Sequence, residues 1–166
     1  LPSRIILRNA YKELSSFELN YEQKWAVKPT IFPYSKFTKI RAFKVDCSGE
    51  CFKAEFRHRT SEGKEISKKQ FTSLLNLLNS PESYGNSTAA CFDPGFALVL
   101  YDEKDIPTEF MSFCLDCNSF RTYPGEINVK YKNEMLYGFT KEARTKLRTF
   151  FLDCGVDYQN KSSLFD

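Results

Sequence analysis

Two apolar runs flank a short polar interruption near the middle of the chain, and they constrain the fold more than any other feature. "FALVLY" begins at Phe96, "DEKD" follows it, and "IPTEFMSFC" runs on to Cys114. Aromatic and β-branched runs of this length around a polar turn make an antiparallel hairpin, with strands expected at 96–102 and 106–115. A reversal at Glu103 and Lys104 sets Tyr101 opposite Ile106. Extended outward, that register puts Cys91 opposite Asp116, next to Cys117 and close to Cys114. Three sulfurs distant in sequence therefore gather at the open end of the hairpin, with Pro94 as the place where a bulge is expected.

Three chemistries fit Cys91, Cys114 and Cys117. The first is a disulfide from Cys91 to Cys117 or to Cys114, which leaves a buried thiol and staples the fold. The second is a zinc site, since "CLDC" has zinc-ligand spacing and Cys47 or Cys51 could supply a fourth thiolate; the glycine usual in such knuckles is missing. The third is thiol–disulfide redox work by Cys114 and Cys117. A redox pair normally sits at a helix N-terminus, and "NSFRTYPG" after Cys117 is no helix. The staple is the expected outcome. Cys47 and Cys51 flank "SGE" and are expected to bridge across a hairpin tip, whereas Cys154 reads as a small core hydrophobe.

The rest of the chain supplies an α+β frame. Arg4 to Leu14 has helical spacing; Phe17 to Val27 alternates as a strand; "KPTIFPYS" is a connector, so residues 1–35 read as helix, strand and connector. Residues 37–46 and 52–59 read as strands joined by "CSGEC". Ser67 and Gln70 form a capping box before the apolar stripe Phe71, Leu74, Leu75 and Leu78. Ile127, Val129 and Tyr131 start a further strand that "KNE" turns and "MLYGF" returns. Thr140 caps a last helix with Ala143, Leu147, Phe150, Phe151 and Cys154 on its buried side, stopped by Gly155, and 158–166 reads as a loose tail. One domain is expected over 1–166: an antiparallel sheet with about three helices on one face, its order suggesting two strand–strand–helix units packed together.

Composition closes off several classes of function. With 24 basic and 21 acidic residues mixed along the chain, net charge +3 gives no block of charge that calls for nucleic acid. No run of 18 apolar residues exists, so no membrane-spanning helix is expected. The one histidine, His58, sits in a strand pattern, so Cys–His catalysis has no base to rely on. Asp93, Asp102, Asp105 and Asp116 are scattered over turns and strand ends and make no carboxylate pair, and no phosphate-cradling glycine loop occurs. Lys141, Arg144 and Arg148 read as a solvated basic stripe on the last helix. The opening "LPSR" has neither Met nor an apolar signal core, as expected of a trimmed chain or of a mature form, and a removed export signal would fit.

Cys91, Phe92, Pro94, Tyr101, Asp102, Cys114 and Cys117, with "GFTKEARTKLRTFF" after them, resemble a family of uncharacterised bacterial proteins that shares a Cys-Phe-x-Pro opening, a strand ending in Tyr-Asp and a closing Cys-x-x-Cys. The likeness covers about the last half of the chain. It implies export to the periplasm or cell surface, with a lipid anchor as a further expectation. That family tends to carry a basic or histidine pair after the proline, where this chain has Gly95 and Phe96.

These readings converge on an exported binding domain for an unknown protein or small ligand. It is expected to lack catalytic residues and a cofactor, zinc apart, and its aromatic surface is expected near the cysteines at Phe92, Phe96 and Phe120, with Phe113 read as core. The rival is a zinc or redox site at Cys91, Cys114 and Cys117.

Overall fold

The computed structural model describes residues 32–33, 35–46, 62–124, 126–158 and 165. The strands are β1 (Lys39–Lys44), β2 (Lys64–Glu65), β3 (Phe96–Tyr101), β4 (Pro107–Cys114), β5 (Ser119–Tyr123), β6 (Lys130–Tyr131) and β7 (Glu134–Met135). Helix α1 (Lys68–Asn79) lies between β2 and β3, and α2 (Lys141–Asp153) follows β7. The first five strands make one antiparallel sheet in the order β2-β1-β3-β4-β5, and β6 and β7 form a separate ribbon. The architecture is α+β, as expected. Two α-helices rather than three occur among the described residues; the helix expected at 4–14, the strands at 17–27 and 52–59, and Cys47, Cys51 and His58 lie outside them.

Both helices pack on one face of the sheet. Their apolar sides, Phe71, Leu74 and Leu78 from α1 and Ala143, Leu147 and Phe151 from α2, join Ile40, Ala42, Phe96, Leu98, Leu100, Met111 and Phe113 in one core. Phe96 stacks on Phe151 with ring centroids 4.0 Å apart, and Phe37 meets Phe71 edge-on at 5.4 Å. The other face is buried as well, at Phe43, Val99, Tyr101 and Tyr123. All six residues of β3 are therefore buried, which explains why it reads as an unbroken apolar run and not as an alternation.

Local chemistry sets the helix ends. The Ser67 hydroxyl accepts from the Gln70 N–H at 3.2 Å while the Gln70 side chain accepts from the Ser67 N–H at 2.9 Å, completing the capping box. Thr140 Oγ1 accepts from the Ala143 N–H at 3.2 Å. At the far end of α2, Gly155 adopts φ +81°, with its N–H on Leu152 O at 2.8 Å and the Val156 N–H on Phe151 O at 2.9 Å. That double bond is a Schellman stop, and the left-handed residue it needs is a glycine.

Three sequence expectations need correction. First, from Phe96 to Leu100 the β3–β4 register lies two residues from the expected one, with Phe96 opposite Phe113; beyond a bulge between Leu100 and Tyr101 it is one residue off, with Tyr101 opposite Pro107. The cause is the turn. Asp102 pairs with Ile106 through a 3.0 Å N–H···O bond, the loop is Glu103 to Asp105, and Asp105 takes φ +60°. The Asp102 carboxylate stabilises it by accepting from the Lys104 N–H at 2.8 Å and the Ile106 N–H at 2.9 Å. Second, Arg144 is not on a solvated stripe. It is 3% exposed, and it donates to Phe139 O at 2.7 Å and to Phe165 O at 2.6 Å. Third, Tyr158 is not part of a loose tail; it is 4% exposed, its ring packs on Phe151 at 5.8 Å, and its hydroxyl accepts from the Leu115 N–H at 3.4 Å.

Gly138 fixes how β7 returns to the core. It takes φ +61°, and a Cβ placed there would lie within 2.6 Å of the Ser87 carbonyl carbon and closer still to its oxygen. Gly138→Ala should therefore cost about 3 kcal/mol or more in urea unfolding, because left-handed strain adds to a clash with backbone that cannot swing aside. A loss under about 1 kcal/mol would show that the two segments separate without consequence.

Candidate functional site

The open end of the hairpin is built around the turn from β4 to β5. Cys114 pairs with Ser119 across it, the Asn118 N–H donates to Leu115 O at 3.1 Å, and Asn118 takes φ +54°. "CLDC" is thus a tight turn and not a helix start. Asn118 is fully buried and spends its whole amide. Its Nδ2 donates to Ser87 O at 2.6 Å and Phe139 O at 3.0 Å, and its Oδ1 accepts from the Phe139 N–H at 3.0 Å. An asparagine serves here because its short side chain tolerates the left-handed backbone and carries both donor and acceptor.

Cys91 and Cys117 are joined in a disulfide, with Cα atoms 5.6 Å apart. The sulfurs come together despite the register error because a slip of two residues keeps every side chain on its face. Cys117 is 1% exposed, whereas Cys91 is exposed. Cys114 and Cys154 are free and buried. Cys114 Sγ accepts from the Asp93 N–H at 3.4 Å and the Cys117 N–H at 3.3 Å. Burial pushes its thiol pKa up against those two bonds, and the Asp116 and Asp93 carboxylates push the same way. With Cys91 and Cys117 bridged, neither offers a thiolate to a metal, and no group of three His, Cys, Asp or Glu able to hold one occurs among the described residues.

The bridge ties down the segment from Tyr84 to Cys91, which closes one side of an open trough. Ala89 N–H and Thr88 Oγ1 donate to Cys117 O at 3.1 and 2.8 Å. Gly85 N–H donates to Gly138 O and Asn86 N–H to Tyr137 O, both at 2.8 Å. The trough, about 500 Å³, runs between β5 and the β6–β7 ribbon; Phe120, Ile127 and Leu136 line it with Arg121, Glu126, Met135 and Tyr137. Met135 and Tyr137 are 47% and 51% exposed.

The three phenylalanines expected at the surface fall in different places. Phe96 is 0% exposed and lies inside the core, so it offers no surface. Phe92 is half-buried beneath Arg121, whose guanidinium carbon sits 3.9 Å from its ring centre. Phe120 is half-buried, stacks on Phe113 and Phe139 at 5.8 and 5.4 Å, and lines the trough. Sequence reasoning missed Asn118, Met135, Tyr137 and the whole of β5. Strand β5 had a signal: Phe120 and Thr122 alternate with Arg121 and Tyr123 between Asn118 and Pro124.

Among the described residues the other free thiol, Cys154, reports on the core. Burial raises the Cys154 pKa from 9.0 to about 11, and it raises those of Tyr84 and Tyr158 as well. These groups hold their protons more tightly folded than unfolded. Their contribution is complete below the ordinary pKa and is lost as pH rises through the folded value. Tm should therefore fall between pH 9.0 and about 11, with a shallower fall in Cys154→Ala. An unchanged slope in that variant would show that Cys154 ionises freely in the fold.

Fold and site together define an α+β antiparallel-sheet domain with a disulfide at the open end of its central hairpin and a trough beside it. No family model matches this chain, and no curated protein or solved structure matches it either. Among the described residues no helix is long and apolar enough to cross a membrane.

Proposed function

We propose that this chain is a non-catalytic binding domain that seats a short extended peptide in the trough between β5 and the β6–β7 ribbon. The observation that carries the reading is the pair of large side chains on its rim, Met135 and Tyr137, left about half exposed over an apolar floor of Phe120 and Ile127. Met and Tyr are enriched where proteins meet partners. A small-molecule site encloses most of its ligand. This trough is open to solvent and mixes Arg121 and Glu126 with apolar side chains, which favours a peptide that keeps one side in solvent. The Cys91–Cys117 bridge supports work in an oxidising compartment, outside the cytoplasm. Among the described residues the free thiols Cys114 and Cys154 are buried and held protonated, which favours binding over thiol catalysis on an outside substrate.

Selection of a displayed random-peptide library on the folded protein tests it. Enriched peptides should lose at least about tenfold in affinity, or 1.4 kcal/mol, against Tyr137→Ala and Met135→Ala. Both residues are exposed, so neither change threatens the fold. Peptides that bind both variants as well as the parent, or a selection that enriches nothing, would sink the reading.

A further inference from the structure

Cys114 is outside the bridge, yet its sulfur touches both segments that the bridge joins. On one side it accepts from Asp93, two residues from Cys91; on the other it accepts from Cys117 itself at 3.3 Å, which places it a side chain's length from the Cys117 sulfur. The three cysteines also differ in exposure, with Cys91 exposed and Cys114 and Cys117 buried. A second buried partner for Cys117 thus lies beside the first, and the half of the bridge that would be released already faces solvent.

We propose that Cys91, Cys114 and Cys117 form a thiol–disulfide exchange unit, in which Cys114 displaces Cys91 from Cys117 and leaves a free thiol at the surface. The Cys114 thiol gives up its proton, and its sulfur attacks the Cys117 sulfur. The Cys114–Cys117 bond forms as the Cys91–Cys117 bond breaks, and the departing Cys91 thiolate takes a proton from water. One disulfide and one thiol stand on each side of the step, so no oxidant or reductant enters. The product is within reach: the Cys117 N–H already bonds the Cys114 sulfur at 3.3 Å, and a disulfide needs Cα atoms only roughly 4.4–6.8 Å apart. Burial, with the Asp116 and Asp93 carboxylates beside it, keeps Cys114 protonated, so the unit stays in the observed state at neutral pH and exchanges faster as pH rises. Exchange would also cut the covalent tie on the Tyr84-to-Cys91 segment and leave it held by hydrogen bonds, those of Gly85, Asn86, Thr88 and Ala89. It stands independently of what the trough binds.

Native protein held with N-ethylmaleimide, quenched in acid and mapped as unreduced peptides, tests this. Adduct should build up on Cys91 together with a Cys114–Cys117 cross-link, at least about tenfold faster at pH 9 than at pH 7. Cys114→Ser should abolish both, with Cys114→Ala as a second variant should serine disturb the buried site. Cys154→Ser and the Cys47→Ser/Cys51→Ser pair should leave the result unchanged. Adduct on Cys114 with the original bridge intact, Cys91 labelling at the same rate without Cys114, or no Cys91 adduct at either pH would each overturn it.

Discussion

Phe96→Ala should destabilise the domain by about 3–5 kcal/mol, read as a shift of the urea midpoint at unchanged slope. Phe96 is 0% exposed, stacks on Phe151 at 4.0 Å, and meets Phe113 and Phe150 edge-on at 6.0 and 6.2 Å. Truncation removes a ring from the point where β3, β4 and α2 converge, and neighbours held by a five-stranded sheet cannot close the gap. Phe120→Ala should cost clearly less, because that ring is half-buried and stacks at the edge of the cluster. Equal costs at the two positions would mean that Phe120 belongs to the core as fully as Phe96, and that the trough has no independent floor.

Removing the bridge with Cys91→Ser/Cys117→Ser should cost about 3 kcal/mol, the chain-entropy expectation for a loop closed over 26 residues. The double variant is the right comparison because reduction of the parent would leave three thiols free to re-pair around Cys114. Hydrogen exchange should localise the effect. The Ala89 N–H, now held on Cys117 O, and the Asn86 N–H, held on Tyr137 O, should lose protection before the β3 and β4 amides do. A loss below about 1 kcal/mol with protection unchanged would mean that hydrogen bonds alone position the trough wall.

Much of the frame was legible in the residues because the causes are local. A capping box at Ser67 and Gln70, a Thr140 cap and a Gly155 stop act within one or two helical turns, so spacing alone reveals them. The central hairpin was legible too, since apolar runs flank a polar turn. The gathering of Cys91 with Cys117 followed from pairing arithmetic that an even slip does not disturb. Strand β5 was less visible, at five residues between Asn118 and Pro124, where turn chemistry on both sides masks a weak alternation.

What the sequence by itself determined was an antiparallel α+β frame and a short list of partners for each sulfur, because periodicity and turn residues specify backbone pairing at close range. Only the tertiary structure decided which aromatic rings are core, that Arg144 is buried on carbonyl oxygens, and that Met135 and Tyr137 rim a trough. A phenylalanine or an arginine has the same local signature whether it is covered or not. Its burial depends on elements that approach from elsewhere in the chain, and no spacing rule carries that information.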